Sequence, residues 1–218
     1  MILLDQNKIQ FPDPSQSIDP DGLIAIGGKL SVPWLKQAYD HGMFPWFEED
    51  GMPFWFSPQE RCVLFPSEII ISKSMKKALE KFELKEDTQF EEVIKQCSAK
   101  PRPGQDGTWI TSPFIKGYVE MHNQGLAHSI EVYQNEVLVG GLYGVVAGNI
   151  FCGESMFSHV SNASKAALIY LCTKKNYTLI DCQIVTNHLL SMGARAIPRD
   201  EYLLMLKQSV AATQSANS

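Results

Sequence analysis

The chain is expected to fold as an α+β protein: a small N-terminal α/β domain over residues 1–66, packed on a larger domain over 67–210 with a mainly antiparallel sheet, ahead of a disordered tail at 211–218. Three observations predict this. Residues 11–66 are dense in Pro, Gly and aromatics, as in Phe11-Pro12-Asp13-Pro14, Gly27-Gly28 and Phe44-Pro45-Trp46-Phe47, which favours loops and short elements over long helices. Between 74 and 123 apolar residues recur at helical spacing. From Ser129 the period shortens to two, that of strands.

Each element follows from local signals. In the first region only 33–39 has helical spacing. Ser74 can cap a helix running through Met75, Ala78, Leu79 and Lys81, and 90–97 reads as a second amphipathic helix. Residues 101–107 read as a loop, and a helix follows at 113–123, with Pro113 in its first turn and Gly125 just past its end. Strands at 129–133, 137–146 and 150–156 are joined by Gln134-Asn135-Glu136 and Ala147-Gly148-Asn149, an antiparallel meander. A helix at 163–175, capped by Asn162 or Ser161, leads to a strand at 177–183 and to short helices near 188–192 and 199–207. The order is βββαβα. From about Ala211 the residues are small and polar, the composition of a loose tail.

Composition narrows the classes of function. The 218 residues, 44% of them hydrophobic, can bury a substantial core. No apolar run approaches the roughly 18 residues of a membrane span, and the N-terminus lacks a basic segment followed by an apolar signal core, so a cytoplasmic protein with no membrane partner is expected. Five cysteines (Cys62, Cys97, Cys152, Cys172, Cys182), odd in number and without a C-x-x-C pair, argue against a disulfide framework and against zinc. His128 and His159 have no second ligand at metal spacing. A net charge of −5 disfavours indiscriminate nucleic-acid binding but leaves room for a local basic face.

The strongest functional signal is Glu154, set in the apolar strand sequence Phe-Cys-Gly-Glu-Ser-Met-Phe-Ser (151–158). Burying a carboxylate costs several kcal/mol unless it is paired or faces a cavity. Leu-Ile-Asp-Cys-Gln (179–183) repeats the pattern, ending an apolar strand in Asp181 and Gln183. Two such strand ends can meet in one cleft. The bland readings are a turn or capping Asp181 and a satisfied buried Gln183. A thiol nucleophile at Cys182 or Cys152 with His188 as base is a further reading, but strand alternation points Cys182 away from Asp181 and Gln183, so both cysteines read as small core residues.

The βββαβα order resembles the core of the GNAT acyltransferase fold, in which neighbouring strands splay and the acyl donor enters the gap. GNAT enzymes hold the coenzyme A pyrophosphate on a Gln/Arg-x-x-Gly-x-Gly/Ala loop at a helix N-terminus. Here that segment reads Ser158-His159-Val160-Ser161-Asn162-Ala163, without glycine, so coenzyme A is not the expected donor.

Several longer motifs resemble the leucyl/phenylalanyl-tRNA–protein transferase family: Gly-Leu-Ile-Ala-Ile-Gly-Gly (22–28), Gly-Met-Phe-Pro-Trp-Phe (42–47), Gly-Thr-Trp-Ile-Thr (107–111), Ala-His-Ser-Ile-Glu-Val (127–132), the 151–158 segment, Asn-Ala-Ser-Lys (162–165) and Ile-Asp-Cys-Gln (180–183). The resemblance implies a cytoplasmic bacterial enzyme moving Leu or Phe, with Met as a further candidate, from aminoacyl-tRNA to the N-terminal Arg or Lys of an acceptor protein, which then enters N-degron degradation. It implies no cofactor and no metal, since aminolysis of an ester is downhill and needs positioning and one proton acceptor. A monomer is expected.

By resemblance Asp181 and Gln183 match catalytic positions, Asp181 holding and polarising the Gln183 side chain or taking the proton through it. Glu154 would hold the incoming cationic N-terminus. Trp46, Trp109, Tyr118 and Phe151 match positions near the aminoacyl group and the terminal adenosine. Leu171 departs from the family's better-known members, which place Phe there, and Thr186 from some members, which have Asn. Lys73, Lys76, Lys77 and Lys81, spaced to share one helical face, are the candidates for the tRNA body, with Lys174 and Lys175 behind them. Two other functions fit fewer of these residues: a GNAT-type N-acyltransferase with a thioester donor, and a noncatalytic binder of tRNA ends or peptide N-termini.

Overall fold

The computed structural model describes residues 2–99 and 110–216, so the expected 101–107 loop and Trp109 lie outside the described residues. Two sheets organise the chain. The smaller contains β1 (Ile2–Leu4), β2 (Leu23–Gly27), β3 (Phe44–Glu49) and β4 (Met52–Phe56) in the order β1-β2-β4-β3, with α1 (Val32–Asp40) connecting β2 to β3. Sequence reading finds only the helix here. Pro45 and Pro53 obscure strands that tolerate them, because β3 is an edge strand and Pro53 stands near the start of β4.

The larger sheet has seven strands: β5 (Glu60–Leu64), β6 (Glu83–Glu86), β7 (Ala127–Gln134), β8 (Val137–Ala147), β9 (Ile150–Ser158), β10 (Leu179–Gln183) and β11 (Arg195–Pro198), in the order β11-β5-β10-β9-β8-β7-β6. All neighbours are antiparallel except β9 and β10. The meander is β7-β8-β9, its first turn held by Asn135 and Glu136 at positive φ and its second by Gly148. The helices are α2 (Lys73–Leu79), α3 (Phe90–Ser98), α4 (Ser112–Asn123), α5 (Ala163–Lys174), α6 (Asn187–Leu190) and α7 (Arg199–Ala216).

Several details differ from the sequence reading. The α2 cap is Ser72, whose hydroxyl accepts from Met75 N, rather than Ser74. Asn162 makes no side-chain cap to α5; Ser158 Oγ, at the end of β9, accepts from Ser164 N instead. The last helix continues through Ala216, so residues 211–216 are helical where a disordered tail is expected; Ala211, Ala212 and Ala216 are strong helix formers. Strand β5 lies on the N-terminal side of residue 66 yet pairs within the larger sheet.

The two sheets share one core. Trp34, Leu35, Tyr39 and Trp55 from the first region pack in the same cluster as Phe114, Tyr118, Tyr143 and Tyr202 from the second. A second cluster lies on the opposite side of the larger sheet, where α5 buries Ala163, Ala167, Leu168 and Leu171 against Phe151 and Ile180. The site lies where β9 and β10 part company between these clusters.

Candidate active site

Strands β9 and β10 pair in parallel only at Leu179↔Ile150, Ile180↔Phe151 and Asp181↔Cys152, and beyond these they diverge. Both are bulged at the point of divergence. The β8–β9 register passes from Gly144↔Gly153 to Tyr143↔Ser155, leaving Glu154 as the extra residue. The β10–β5 register passes from Asp181↔Val63 to Gln183↔Cys62, leaving Cys182 extra and Gln183 at a φ of 62°. A bulge re-aims the side chains around it, and here two bulges bring Gln183 Nε2 to 2.6 Å from Glu154 Oε1. Alternation therefore fails for Cys182: it is partly exposed at the cavity wall, not a core residue as expected, whereas Cys152 is fully buried.

Glu154 is enclosed by donors. Tyr118 Oη donates to its Oε2 at 2.9 Å, and the Tyr39 hydroxyl lies 2.6 Å from that of Tyr118. Burial pushes the Glu154 carboxyl up, hydrogen bonds from the tyrosines and Gln183 pull it back, and the balance stands at about 7. Tyr39 comes from α1 and Tyr118 from α4, so the N-terminal region reaches the carboxylate through its own helix.

Asp181 is held differently. Arg61 donates to it twice, from Nε at 2.8 Å and from Nη2 at 2.6 Å, and Tyr202 Oη donates at 2.9 Å. Both members of the ion pair are buried. The guanidinium lies over the rings of Phe44, 4.9 Å away, and Tyr202, 4.5 Å away, and also reaches the Gly42 carbonyl. What Asp181 holds of Gln183 is its backbone, whose N–H donates to Oδ1 at 2.9 Å. This corrects the expected contact: the Gln183 side chain is bound by Glu154, and Asp181 instead fixes the left-handed backbone that presents it.

Two cavities meet at this point. The larger, of about 500 Å³, is walled by Leu142, Phe151, Met156, Leu168, Leu171 and Ile180. The smaller, of about 290 Å³, is walled by Phe44, Pro45 and Trp46 from the N-terminal sheet and by Gln183 and Ile184. Gly153, Glu154, Cys182, Thr186 and Leu189 line both. Asp181 lines neither. Among the described residues no group of three or more His, Cys, Asp or Glu is placed to hold a metal ion, and no helix is long and apolar enough to cross a membrane.

Comparison with known proteins decides the family. Residues 63–207 match the leucyl/phenylalanyl-tRNA protein transferase family, and residues 28–59 match the N-terminal domain of the same family. The chain belongs to the leucyl/phenylalanyl-tRNA–protein transferase family. Similar relatives bearing that name come from Flavobacterium johnsoniae, 51% identical over 92% of this chain and 97% of that one, and from Azotobacter vinelandii, 49% identical over 91% and 90%. A GCN5-related N-acetyltransferase from Kribbella flavida aligns with a TM-score of 0.40 and 9% identity over 74% of this chain and 58% of that chain.

In this transferase the fold is α+β, and the meander, α5 and β10 follow one another in the order the sequence predicts, with β9 and β10 parting after three paired residues. The expected site residues separate into groups. Glu154 faces both cavities, Phe151 and Leu171 line the larger one, and Gln183 and Trp46 line the smaller. Tyr118 is fully buried and lines neither; its hydroxyl donates to Glu154 rather than forming a wall of either cavity. Lys73, Lys76 and Lys77 are exposed on α2, with Lys81 exposed just beyond it, while Lys175 is tied to Glu86 at 2.6 Å. Arg61, Tyr39 and Tyr202 escape sequence reading. Arg61 alone carried a usable signal, a charge inside the apolar strand Glu60–Leu64.

Proposed function

We propose that this transferase carries Leu or Phe from aminoacyl-tRNA to the α-amino group of a protein beginning with Arg or Lys, so marking it for N-degron degradation. The observation that carries the reading is Glu154 at the junction of two cavities, one apolar and one opening beneath Trp46 and Gln183. The Leu or Phe side chain sits in the larger cavity, whose volume suits a small organic group. The acceptor N-terminus enters through the smaller one.

In this reading Glu154 is the proton acceptor. An α-amino group with an ordinary pKa near 7.7–8.0 arrives largely protonated, and a carboxylate at about 7 is matched to take that proton. The freed amine attacks the ester carbonyl carbon, the C–N bond forms, the C–O bond breaks, and the ribose oxygen leaves as a hydroxyl. One proton is released overall. Gln183 orients Glu154 through the 2.6 Å hydrogen bond and lies beside the amine's path. Asp181 acts as a positioning residue, since its carboxylate is engaged by Arg61, Tyr202 and the Gln183 backbone.

The deciding test is transfer of radiolabelled Leu from Leu-tRNA to a protein beginning with Arg, beside the same protein beginning with Ala and a reaction supplied with acetyl-CoA. Label on the Arg acceptor alone is expected. Label from acetyl-CoA would move the assignment to the thioester-dependent acyltransferase, and tRNA binding without transfer would move it to a noncatalytic binder.

Two further outcomes follow from placement. Leu171 lies 1% exposed in the wall of the larger cavity, so Leu171→Phe adds bulk where the donor side chain sits. Transfer of Phe is expected to fall relative to Leu by roughly tenfold, in the range that small changes of pocket volume produce; an unchanged ratio would remove Leu171 from the donor pocket. The exposed lysines of α2 are read as phosphate contacts. Lys76→Glu with Lys77→Glu should weaken tRNA binding and flatten its dependence on salt by roughly one in log–log slope per lost contact, leaving the thermal midpoint near that of the parent. Unaltered tRNA affinity would show the tRNA body to lie elsewhere.

A further inference from the structure

The Gln183 bulge places two thiols against each other. Cys62 on β5 is the register partner of Gln183, and because Asp181 is already opposite Val63, the extra residue Cys182 is set against the same Cys62. Cys62 lies in the core cluster on the α5 side of the larger sheet, and Cys182 packs against that same cluster. A bulge sets both of its residues opposite one residue of the partner strand; directly paired residues stand about 4.5–5.5 Å apart there, and a disulfide spans about 4.4–6.8 Å between Cα atoms. Access is unequal: Cys62 is buried, while Cys182 is partly exposed and faces both cavities.

We infer that Cys62 and Cys182 close to a reversible disulfide on oxidation, and that the closed form is a transferase held off. The switching consequence rests on the transfer activity proposed above; the linkage itself does not. Cys182 lies between Asp181 and Gln183 in the chain, so drawing its sulfur toward β5 turns the bulge that aims Gln183 at Glu154. A displacement near 1 Å in a positioning group costs about a hundredfold in rate.

The chemistry balances with a peroxide as oxidant. The Cys182 sulfur, reached through the cavities, attacks one peroxide oxygen; the O–O bond breaks, water leaves, and a sulfenic acid remains. The Cys62 sulfur then attacks the Cys182 sulfur, the S–O bond breaks, and a second water leaves. Two thiols are oxidised to one S–S bond and the peroxide is reduced to two waters. The neighbouring Cys182 draws the Cys62 thiol below its usual value, which suits it to the second step, while Cys62 and burial hold the Cys182 thiol well above its usual value, so the first step is slow and calls for excess peroxide.

The test treats the full-length protein with hydrogen peroxide, then divides the sample between a non-reducing peptide map and the Leu transfer assay, before and after a thiol reductant. The expected result is a peptide pair joining Cys62 to Cys182, two hydrogens lighter than the free peptides, with about a hundredfold loss of transfer restored by the reductant. Cys62→Ala and Cys62→Ser should transfer normally before oxidation and form no such pair, and reductant should not rescue whatever activity oxidation removes from them. Absence of the Cys62–Cys182 pair, pairing through Cys97, Cys152 or Cys172, a linked enzyme that still transfers at the full rate, or Cys62 variants that are inactivated and rescued as the parent is, would each overturn the proposal. Because the peptide map is read without any substrate, a chain with no transfer activity that still forms the pair would count against the transfer reading and the switch while leaving the linkage established.

Discussion

Glu154→Gln is expected to lower the rate of Leu transfer by about 10²–10⁴-fold, the usual contribution of a positioned proton acceptor, while leaving tRNA binding near its original level. The substitution keeps the shape and permits the hydrogen bonds to be re-formed. Gln183 Nε2 can still donate to the side-chain oxygen at position 154, and the Tyr118–Tyr39 pair can reverse direction so that Tyr118 accepts from the new amide. What the variant lacks is a site for the proton of the acceptor ammonium. A variant transferring within a few-fold of the parent would return the acceptor role to another group or to solvent.

The same substitution should stabilise the protein at alkaline pH. Glu154 titrates near 7 in the fold against an ordinary value of 4.5, with burial the leading cause. Below 4.5 the carboxyl is neutral whether folded or unfolded and contributes no penalty. As pH rises from 4.5 to 7 the unfolded chain ionises while the folded one keeps its proton, so stability falls; above 7 the loss is complete, on the order of 3 kcal/mol. Gln does not titrate. Urea unfolding of parent and variant at pH 5 and pH 8 should show the variant gaining relative stability at the higher pH, and an equal difference at both would contradict the raised carboxyl. The acid limb of the transfer rate should bend near 7 for the same reason, activity rising with pH as Glu154 ionises. Function and stability here oppose each other through one atom group.

How far the sequence foretold this site depends on which feature is asked about. The meander and α5 were legible because period-two alternation, the Asn135–Glu136 turn and an apolar helix all carry local signals. Glu154 and Gln183 were legible as polar residues that an apolar strand would not carry without a use. Their mutual geometry was not, because it arises from two bulges, and a bulge is set by pairing between distant segments rather than by any residue in the bulged strand. For that reason alternation misplaced Cys182 in the core, and the contact that the resemblance implied between Asp181 and the Gln183 side chain falls on the Gln183 backbone instead. Tyr118 is expected beside the aminoacyl group, and its hydroxyl lies instead on Glu154, since resemblance marks a position without saying which atom of the side chain is used. Strands β5 and β11 were missed because each is short and finds its partners more than a hundred residues away. Arg61 could have been found by the argument applied to Glu154, for a guanidinium inside Glu60–Leu64 also requires a partner.

That partner makes Arg61 the position of largest structural consequence. Arg61→Leu removes the two guanidinium donors and the counter-charge from a carboxylate that is itself fully buried, and breaking such a pair from one side costs about 3–5 kcal/mol. It also removes the cation between Phe44 and Tyr202 and the contact to the Gly42 carbonyl, which joins the 42–47 segment to the larger sheet. Removing the stranded charge as well should reverse much of the loss: in Arg61→Leu with Asp181→Leu, apolar side chains replace the pair, and stability is expected to recover by at least half, as measured by urea unfolding. Transfer should not recover with it. Gln183 would still lack the acceptor that holds its N–H, and a non-glycine residue at a φ of 62° costs about 1–3 kcal/mol without such support. A double variant that regained both stability and rate would reduce the Arg61–Asp181 pair to a replaceable piece of core. A double variant that is stable and slow would show that the pair is kept for the backbone it holds, since nothing in the packing would then require it.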